Sequence, residues 1–432
     1  MSTCSKITFR VLLSVLLVVI IPSLSLGEIE FHGFLRTHNS FRIQKPNDAM
    51  MLRNRFRLNP EIWGDNVHGF ASFDVLNEVS GSENMLVNLR EAYIDIYSKL
   101  IDLRIGKQQV VWGKADGYFI NDIVNPLDLS YFLLQDFDDI RIATTMINTK
   151  LHYGNHSLEL LVIPEFQPLR LNFQGDWGFS RPDSVSIPEG MSTTSGSIPM
   201  NYHEDILPDY SLRKAEYGFK LNTFIMGADL SLIYMKIRED KPVYRTQLIA
   251  SPDYTSIWTD LTPRHPWLRF YGFSFEKPIG AFVFRGEGGY YPDRYYNTED
   301  MKYQTDFMIL QKDFVQGMLG MDYQLTSNID IGVQAIHERI LDFEEGIHEE
   351  EEQSIGSFLI RASLFDENVS PMLLTLYNFS NKSSLSRISV DWSYSDSFTI
   401  TFGADILEGT DETVFGQFDR NDNIYMKVKF NF

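Results

Sequence analysis

Apolar and polar residues alternate with a period of two along most of this chain. The pattern is clearest between Arg90 and Ile105, where it runs up to a short turn at Ser98 and Lys99 and then resumes. Alternation on both sides of a tight turn predicts a β-hairpin with one apolar and one polar face. Because such segments recur to the end of the chain, the sequence predicts an all-β protein of about 18 strands, or about 16 if a loop mimics a hairpin.

The last predicted strand indicates how the sheet is closed. Every second residue from Ile424 to Phe432 is apolar, and the residues between them are Tyr425, Lys427, Lys429 and Asn431. On a water-exposed edge strand this apolar face would promote aggregation, whereas lipid accepts it, and only a closed barrel also satisfies the backbone. The ending resembles the closing strand of bacterial outer-membrane barrels, in which Phe430 and Phe432 would be the signal for the barrel-assembly machinery. The sequence therefore predicts one transmembrane antiparallel β-barrel, with short periplasmic turns and long extracellular loops.

Residues 1–27 predict a secretory signal peptide. Lys6 and Arg10 precede an apolar run that ends in small residues, so we expect cleavage near Gly27, a barrel over residues 28–432 and a location in the outer membrane of a Gram-negative cell. A retained membrane anchor is the weaker alternative because the apolar run is short. Cys4, the only cysteine, would leave with the signal, so no disulfide is expected.

If the apolar faces contact lipid, the polar faces line the lumen. Arg36 on the first strand and Arg53, Arg55 and Arg57 on the second then form a basic ladder on one wall. The following strands would add three more lumen-facing side chains, with Arg104 paired to a carboxylate: Glu91, Asp95 and Arg104.

After residue 112 the alternation is lost, and Asp, Asn, Gly, Pro and aromatic residues follow up to Arg141. A connection this long is expected to be functional. It would be the third extracellular loop, after residues 43–50 and 80–86, and we predict that it folds into the lumen as a constriction. Its acids are Asp116, Asp122, Asp128, Asp136, Asp138 and Asp139.

Acids on such a loop, with Asp116, Asp122 and Asp128 as the negative wall, would set a transverse field against the basic ladder. The alternative is a network of ion pairs that fixes a loop plug without discriminating among solutes, because buried charges need partners in either case.

The same stretch carries a family resemblance. L-R-I-G-K-Q-Q-V-V-W-G followed by D-I-V-N-P-L-D-L resembles a family of uncharacterised proteobacterial outer-membrane proteins, domain of unknown function thirteen-zero-two, and more loosely the alginate-export type of barrel. The matching positions are Arg104, Gln108, Trp112, Asp122, Asn125, Pro126 and Asp128. The resemblance implies transport across the outer membrane. We predict that these residues line the pore or its constriction, with Trp112 and Pro126 bracing the entry and the bend of the loop. Hydrophobic or lipid-like compounds are candidate solutes. Lys107, where such motifs often have Arg, argues against bidentate anion binding there.

The net charge of −20 makes nucleic acid an unsuitable partner. The acidic run Glu349, Glu350, Glu351 and Glu352 is a weak candidate for binding Ca²⁺ or Mg²⁺, and a solvated acidic loop is the simpler interpretation because no EF-hand spacing is present.

The function predicted from the sequence is a porin-like channel for small solutes, with outer-membrane lipid and lipopolysaccharide as partners and no cofactor. The competing interpretation is a plugged barrel with an adhesin-like role in surface binding. An enzyme is not expected, because no G-x-S-x-G motif occurs and His337-Glu338 is an isolated pair.

Overall fold

The structure is a computed structural model that describes residues 26–78, 85–133, 135–181, 183–186, 197–253 and 256–432. The predicted signal peptide lies almost entirely outside these residues, as does most of the predicted loop 80–86. Within the described residues, one 18-stranded sheet closes on itself through pairing of its first and last strands, which confirms the predicted barrel and excludes 16 strands. The described residues contain no helix long and apolar enough to cross a membrane.

The barrel strands follow one another along the chain with antiparallel pairing. They are β1 Leu26–Arg42, β2 Ala49–Gly64, β3 Val67–Glu78, β4 Leu86–Tyr97, β5 Ile101–Gln108, β6 Thr144–Tyr153, β7 His156–Ile163, β8 Glu216–Ile225, β9 Ala228–Arg238, β10 Trp267–Ile279, β11 Phe282–Asn297, β12 Ile309–Thr326, β13 Ile329–Ile340, β14 Glu352–Ala362, β15 Val369–Asn378, β16 Ser383–Ser395, β17 Phe398–Glu408 and β18 Asn423–Asn431. Short helical turns occur in the connections at Phe137–Ile140, Leu212–Lys214, Met301–Asp306 and Gly416–Asn421.

The closing strand has the two faces that its alternation predicts. The backbone N–H groups of Gly33 and Phe432 each donate to the other residue's carbonyl at 3.0 Å, and this pair continues the β1–β18 ladder. Phe430 is 45% exposed and Phe432 is 46% exposed, whereas Tyr425 is buried on the opposite face. The apolar side chains therefore point out of the barrel, where lipid would cover them.

The two rims of the barrel differ in the length of their connections. Turns such as 154–155 and 226–227 form the short-turn rim, whereas the connections 109–143, 164–215 and 239–266 form the long-loop rim. Two of the long-loop connections, 164–215 and 239–266, contain strands that form a separate four-stranded sheet: Ser184–Ser186, Ser197–Tyr202, Val243–Ala250 and Ile257–Arg264.

The inner surface of the barrel is not polar throughout, which corrects the expectation from the sequence. Met146, Leu161, Met235 and Phe270 are buried in one apolar cluster together with side chains of the connection that follows β5. On β9 the alternation is still present, because Leu232 is 54% exposed and Ile233 is buried. The inner positions are apolar on this wall because they pack against protein and not against water.

Candidate functional site: the inward segment and the basic ladder

Residues 109–142, which we call the inward segment, contact inner side chains on different sides of the barrel. Near the start of the segment, the Lys114 carbonyl accepts a hydrogen bond from Arg285 Nη1 on β11 at 2.6 Å. Farther along, the Leu133 carbonyl accepts one from Arg387 Nη2 on β16 at 2.9 Å. Charged side chains of strands far apart around the barrel therefore satisfy backbone groups of one irregular connection.

One buried amide joins the two ends of the inward segment. Asn125 Oδ1 accepts from the Val110 N–H at 2.6 Å, and Asn125 Nδ2 donates to the carbonyls of Gln108 at 3.2 Å and Ile142 at 3.0 Å. The neighbouring Pro126 carbonyl accepts from the Ile142 N–H at 2.8 Å. These bonds end β5 at Gln108, four residues before the predicted strand end at residue 112, because Val110 donates to a side chain and not to a neighbouring strand.

Gln108 and Trp112 are both buried. Gln108 Nε2 donates to the Met146 carbonyl at 3.2 Å. Trp112 is 2% exposed, lies in the apolar cluster and donates from Nε1 to Glu159 Oε2 at 3.1 Å. Trp112 thus packs the start of the inward segment against the wall formed by β6 and β7.

Strand register assembles the basic ladder from three neighbouring strands. Arg36 on β1 lies opposite Arg55 on β2 and opposite Lys429 on β18. One step along the strands, His38 lies opposite both Arg53 and Lys427. Residues directly opposite each other in an antiparallel pair share a face, so this wall carries more positive charge than the four arginines noted from the sequence.

Asp136 and Asp139 of the inward segment, which we call the acidic anchor, insert into this wall. Asp139 Oδ1 accepts from Arg57 Nη2 at 2.8 Å and Oδ2 accepts from Arg36 Nη2 at 3.0 Å, and Arg55 donates to the same carboxylate. Asp136 accepts from Arg36 and, at 2.6 Å, from Lys427 Nζ. Burial by itself would raise the pKa of Asp139, but Arg55, Arg57 and Arg36 hold that pKa below its usual range.

The three acids expected to oppose the ladder do not contact it and pair with other cations. Asp116 Oδ2 accepts from Arg285 at 2.6 Å and from Gln334 at 2.8 Å. Asp128 Oδ2 accepts from Arg170 Nη1 at 2.6 Å. Asp122 Oδ2 accepts from Arg141 Nε at 2.7 Å, and burial raises the pKa of this carboxyl against the opposing effect of Arg141.

The comparison with known families follows from this architecture. A family model described as "Protein of unknown function (DUF1302)" matches residues 52–432. The chain belongs to this family. This match confirms the family resemblance that was noted for the stretch from β5 into the inward segment. The similarity to DUF1302 extends over most of the chain. No curated protein sequence matches it.

Solved outer-membrane porins share the fold of this DUF1302 protein. OccK2 (OpdF) of Pseudomonas aeruginosa has a TM-score of 0.53 and 8% identity, over 94% of this chain and 97% of that chain. OccAB1 of Acinetobacter baumannii has a TM-score of 0.52 and 8% identity, over 93% and 95%. A BenF-like porin from Pseudomonas fluorescens Pf-5 has a TM-score of 0.51 and 8% identity, over 94% and 98%. At this identity the likeness is one of fold alone.

Arg104, Asp95 and Glu91 form local pairs on the inner wall. Arg104 Nη2 donates to Asp95 Oδ2 at 2.9 Å, which confirms the predicted pairing of this arginine with a carboxylate. Glu91 Oε1 accepts from the Gln109 N–H at 2.9 Å. Arg53 donates to Glu78 Oε2 at 3.1 Å.

Sequence reasoning missed two pairs of inner residues, Arg285 with Glu287 on β11 and Lys427 with Lys429 on β18. Glu287 Oε2 accepts from the Asn121 N–H at 3.1 Å, and Arg285 is two residues away on the same face of β11. Lys427 and Lys429 were placed on the polar face but were not linked to the ladder. In each pair the two residues are two positions apart on one strand, and this spacing could have shown that both side chains lie on the inner face.

The acidic run at Glu349–Glu352 shows no metal site in the part of the chain that is described, where no group of three or more His, Cys, Asp or Glu residues could hold an ion. Glu349 pairs with Lys241 at 3.0 Å and Glu351 pairs with Arg339 at 2.8 Å. These carboxylates are therefore directed to separate cations.

Proposed function

We propose that this protein is a porin-like channel of the outer membrane in which the inward segment sets the width and the ion preference of the passage. The observation that carries the proposal is a closed 18-stranded barrel of porin fold whose long β5–β6 connection is bonded to inner side chains around the barrel. A closed barrel with an apolar outer face is a membrane-spanning design.

Two cavities adjoin the inward segment and support a path for solutes. The first, of about 690 Å³, is lined by Ile142 together with long-loop residues such as Arg170, Arg181 and Tyr202. The second, of about 500 Å³, is lined by Trp112 and by inner side chains of β5 to β9. The inward segment borders both cavities, so its position would decide whether solutes pass between them.

The lining of the second cavity favours small anions. Its four basic side chains, Arg104, Lys114, Lys150 and Lys220, outnumber its two acids, Glu159 and Asp229. Among the described residues of the ladder wall, the cations Arg36, Arg53, Arg55, Arg57 and Lys427 pair with the carboxylates Asp74, Glu78, Asp136 and Asp139. Lys429 lies opposite Arg36, and Arg90 lies 3.9 Å from Asp139. An excess of positive charge on low-dielectric walls raises the local concentration of anions. Hydrophobic or lipid-like compounds are the second class of solute to screen.

One observation favours the competing role of a plugged, surface-binding barrel. The inward segment is held by buried ion pairs on one wall and by the apolar cluster around Trp112 on another. A segment fastened in this way could close the lumen, and the test must therefore separate a constriction from a plug.

Single-channel conductance in a planar bilayer makes this separation. The full chain is compared with a variant in which a short Gly-Ser linker replaces residues 114–139. The matched control carries the same linker in place of residues 251–256, a stretch of the 239–266 connection outside the inward segment. Heat-dependent mobility on SDS gels verifies that each barrel is folded.

We expect the full chain and the control to conduct alike and the 114–139 variant to conduct more. Conductance by that variant alone would make the segment a plug and would favour the surface-binding role. Absence of conductance in all three folded barrels would contradict the channel.

A further inference from the structure

A row of aromatic side chains crosses the outer surface of four neighbouring strands near the long-loop rim. The row runs from Phe219 on β8 through Tyr234 and Tyr271 to Tyr290 on β11, with ring centroids 5.7, 5.3 and 6.2 Å apart. Strand pairing places the four residues in register. Aromatic residues in this arrangement mark the interface between the hydrocarbon of a membrane and its headgroups.

Basic side chains lie one register step beyond this row, toward the long loops. Lys236 lies opposite Tyr217 and Arg269, and Arg238 lies opposite Trp267. The Lys236 ammonium is 5.3 Å from the ring centre of Trp267 and 5.9 Å from that of Tyr217. The Arg238 guanidinium is 4.3 Å from the ring centre of Trp267. Aromatic faces therefore hold two cations at headgroup height.

These two cations lack carboxylate partners. Among the described residues, no carboxylate oxygen lies within 4.0 Å of the side-chain nitrogens of Lys236 or Arg238. Arg238 Nη1 donates to the His265 carbonyl at 3.0 Å. Arg269 pairs with Asp293 at 2.8 Å, but both side chains are more than half exposed, so this pair is weak and screened.

Acids lie on both sides of the patch. On β8, the buried Glu216 Oε1 accepts from the Arg238 backbone N–H at 2.7 Å. Asp293 follows the bulge of β11, and Asp313 on β12 accepts from the Tyr290 hydroxyl at 2.6 Å. The side chains of Lys236 and Arg238 nevertheless present positive charge on the outer surface of a chain with a net charge of −20. An anion at the membrane surface is the complement of such a patch.

We propose that Lys236, Arg238 and Arg269 bind the phosphate groups of a phosphorylated glycolipid of the outer leaflet, that is, lipopolysaccharide. Guanidinium and ammonium groups donate charge-assisted hydrogen bonds to phosphate. The acyl chains of the lipid would lie along the apolar surface below the tyrosine row, where Leu232 and Phe273 are exposed. This inference rests on the membrane placement within the proposed function, but it does not require that the barrel conducts.

Strand β10 also provides a matched control residue. Lys277 shares the outer face of β10 with Arg269 and lies eight residues farther along the strand, at the short-turn end (277 − 269 = 8). At about 3.3 Å per residue this spacing is about 26 Å along the strand. Lys277 therefore carries the same type of charge at the opposite membrane interface, where lipopolysaccharide phosphate would be absent.

The test is a titration of the delipidated, full-length protein with diphosphoryl lipid A, followed by native mass spectrometry. We expect the Lys236→Gln/Arg238→Gln variant to bind roughly 30-fold more weakly. The charge-conserving Lys236→Arg/Arg238→Lys variant and the Lys277→Gln variant should bind like the wild type. Equal binding by the neutralised variant, or an equal loss in Lys277→Gln, would overturn the site.

A second arm distinguishes the lipid from free phosphate. Millimolar inorganic phosphate should displace little lipid A, because phosphate lacks the acyl chains that contact the barrel. Displacement by phosphate alone would assign the patch to the free ion and would overturn the lipid site. Each variant is also tested for conductance, which should equal that of the wild type because these residues lie on the outer surface. If the wild type itself does not conduct, the channel is contradicted, but the lipid site is unaffected.

Discussion

Asp139 on the inward segment accepts a hydrogen bond at 2.8 Å from Arg57 on β2. The same guanidinium donates two hydrogen bonds, each of 2.7 Å, to Asp74 on β3. Arg57 therefore joins the inward segment to two strands of the wall. Because all three side chains are buried, removal of one partner would leave charge without compensation.

We predict that Asp139→Asn releases the end of the inward segment from the ladder. Breaking a buried ion pair by removing one partner costs about 3–5 kcal/mol, so conductance should rise and become noisier. Single-channel recording tests this. Asp128→Asn is the control, because its partner Arg170 is 60% exposed and this variant should behave like the wild type. Identical traces for Asp139→Asn would show that the anchor does not restrict the passage.

A second prediction concerns the sign of the charge at the ladder. Arg55→Glu places a carboxylate beside Asp139, where Arg55 now donates to it, and should shift selectivity from anions toward cations. The reversal potential in a KCl gradient measures this shift. Arg213→Glu, which changes an exposed residue of the connection before β8, should leave the potential unchanged. If Arg55→Glu has no effect on the potential, Arg55 does not contribute to the ion preference.

The buried amide of Asn125 provides a third prediction. Asn125→Ala leaves the Val110 N–H without its acceptor at 2.6 Å, and an unsatisfied buried group costs about 1–3 kcal/mol. The inward segment should become accessible to protease while the barrel stays folded. Limited proteolysis with mapping of cleavage sites in residues 109–142 measures the effect. Asn172→Ala, which removes an exposed acceptor for Gln174, is the control. If both variants are equally protected from protease, Asn125 does not hold the inward segment in place.

The pH dependence of the acidic anchor can also be predicted. A carboxyl whose pKa is lower in the folded state contributes stability above its unfolded pKa and loses it as the pH falls through the folded pKa. Burial opposes this lowering for Asp139, but Arg55, Arg57 and Arg36 dominate. Conductance should therefore stay constant down to about pH 4, near the usual Asp pKa of about 3.9. An opening between about pH 6 and pH 4 would contradict this prediction, because it would require the pKa of Asp139 to lie above the usual Asp value.

The features that could be predicted from the sequence are those that depend on short-range periodicity. Alternation from Ile424 to Phe432 assigns each residue of β18 to a face, because a strand repeats every two residues. Arg104 and Asp95 could be paired for the same reason, since they lie opposite each other in one hairpin. The basic ladder on β2 likewise follows from its spacing of two.

The apolar inner wall was harder to predict. Alternation on β9 assigns Ile233 and Met235 to the face opposite Leu232, but alternation does not state whether that inner face meets water or protein. Here it meets Trp112 and Val124 of the inward segment. Burial at these positions depends on the path of a connection distant in sequence.

The sequence by itself determined the barrel, its strand faces, the basic ladder and the presence of a long acidic connection after β5. Only the tertiary structure decided that the acidic anchor, and not Asp116, Asp122 or Asp128, contacts that ladder. Asp139 and Arg55 are 84 positions apart, and the irregular backbone between β5 and β6 has no period from which side-chain directions follow. Buried charges are placed where opposite charges can compensate them, and in this protein those partners come together only when the barrel closes around the inward segment.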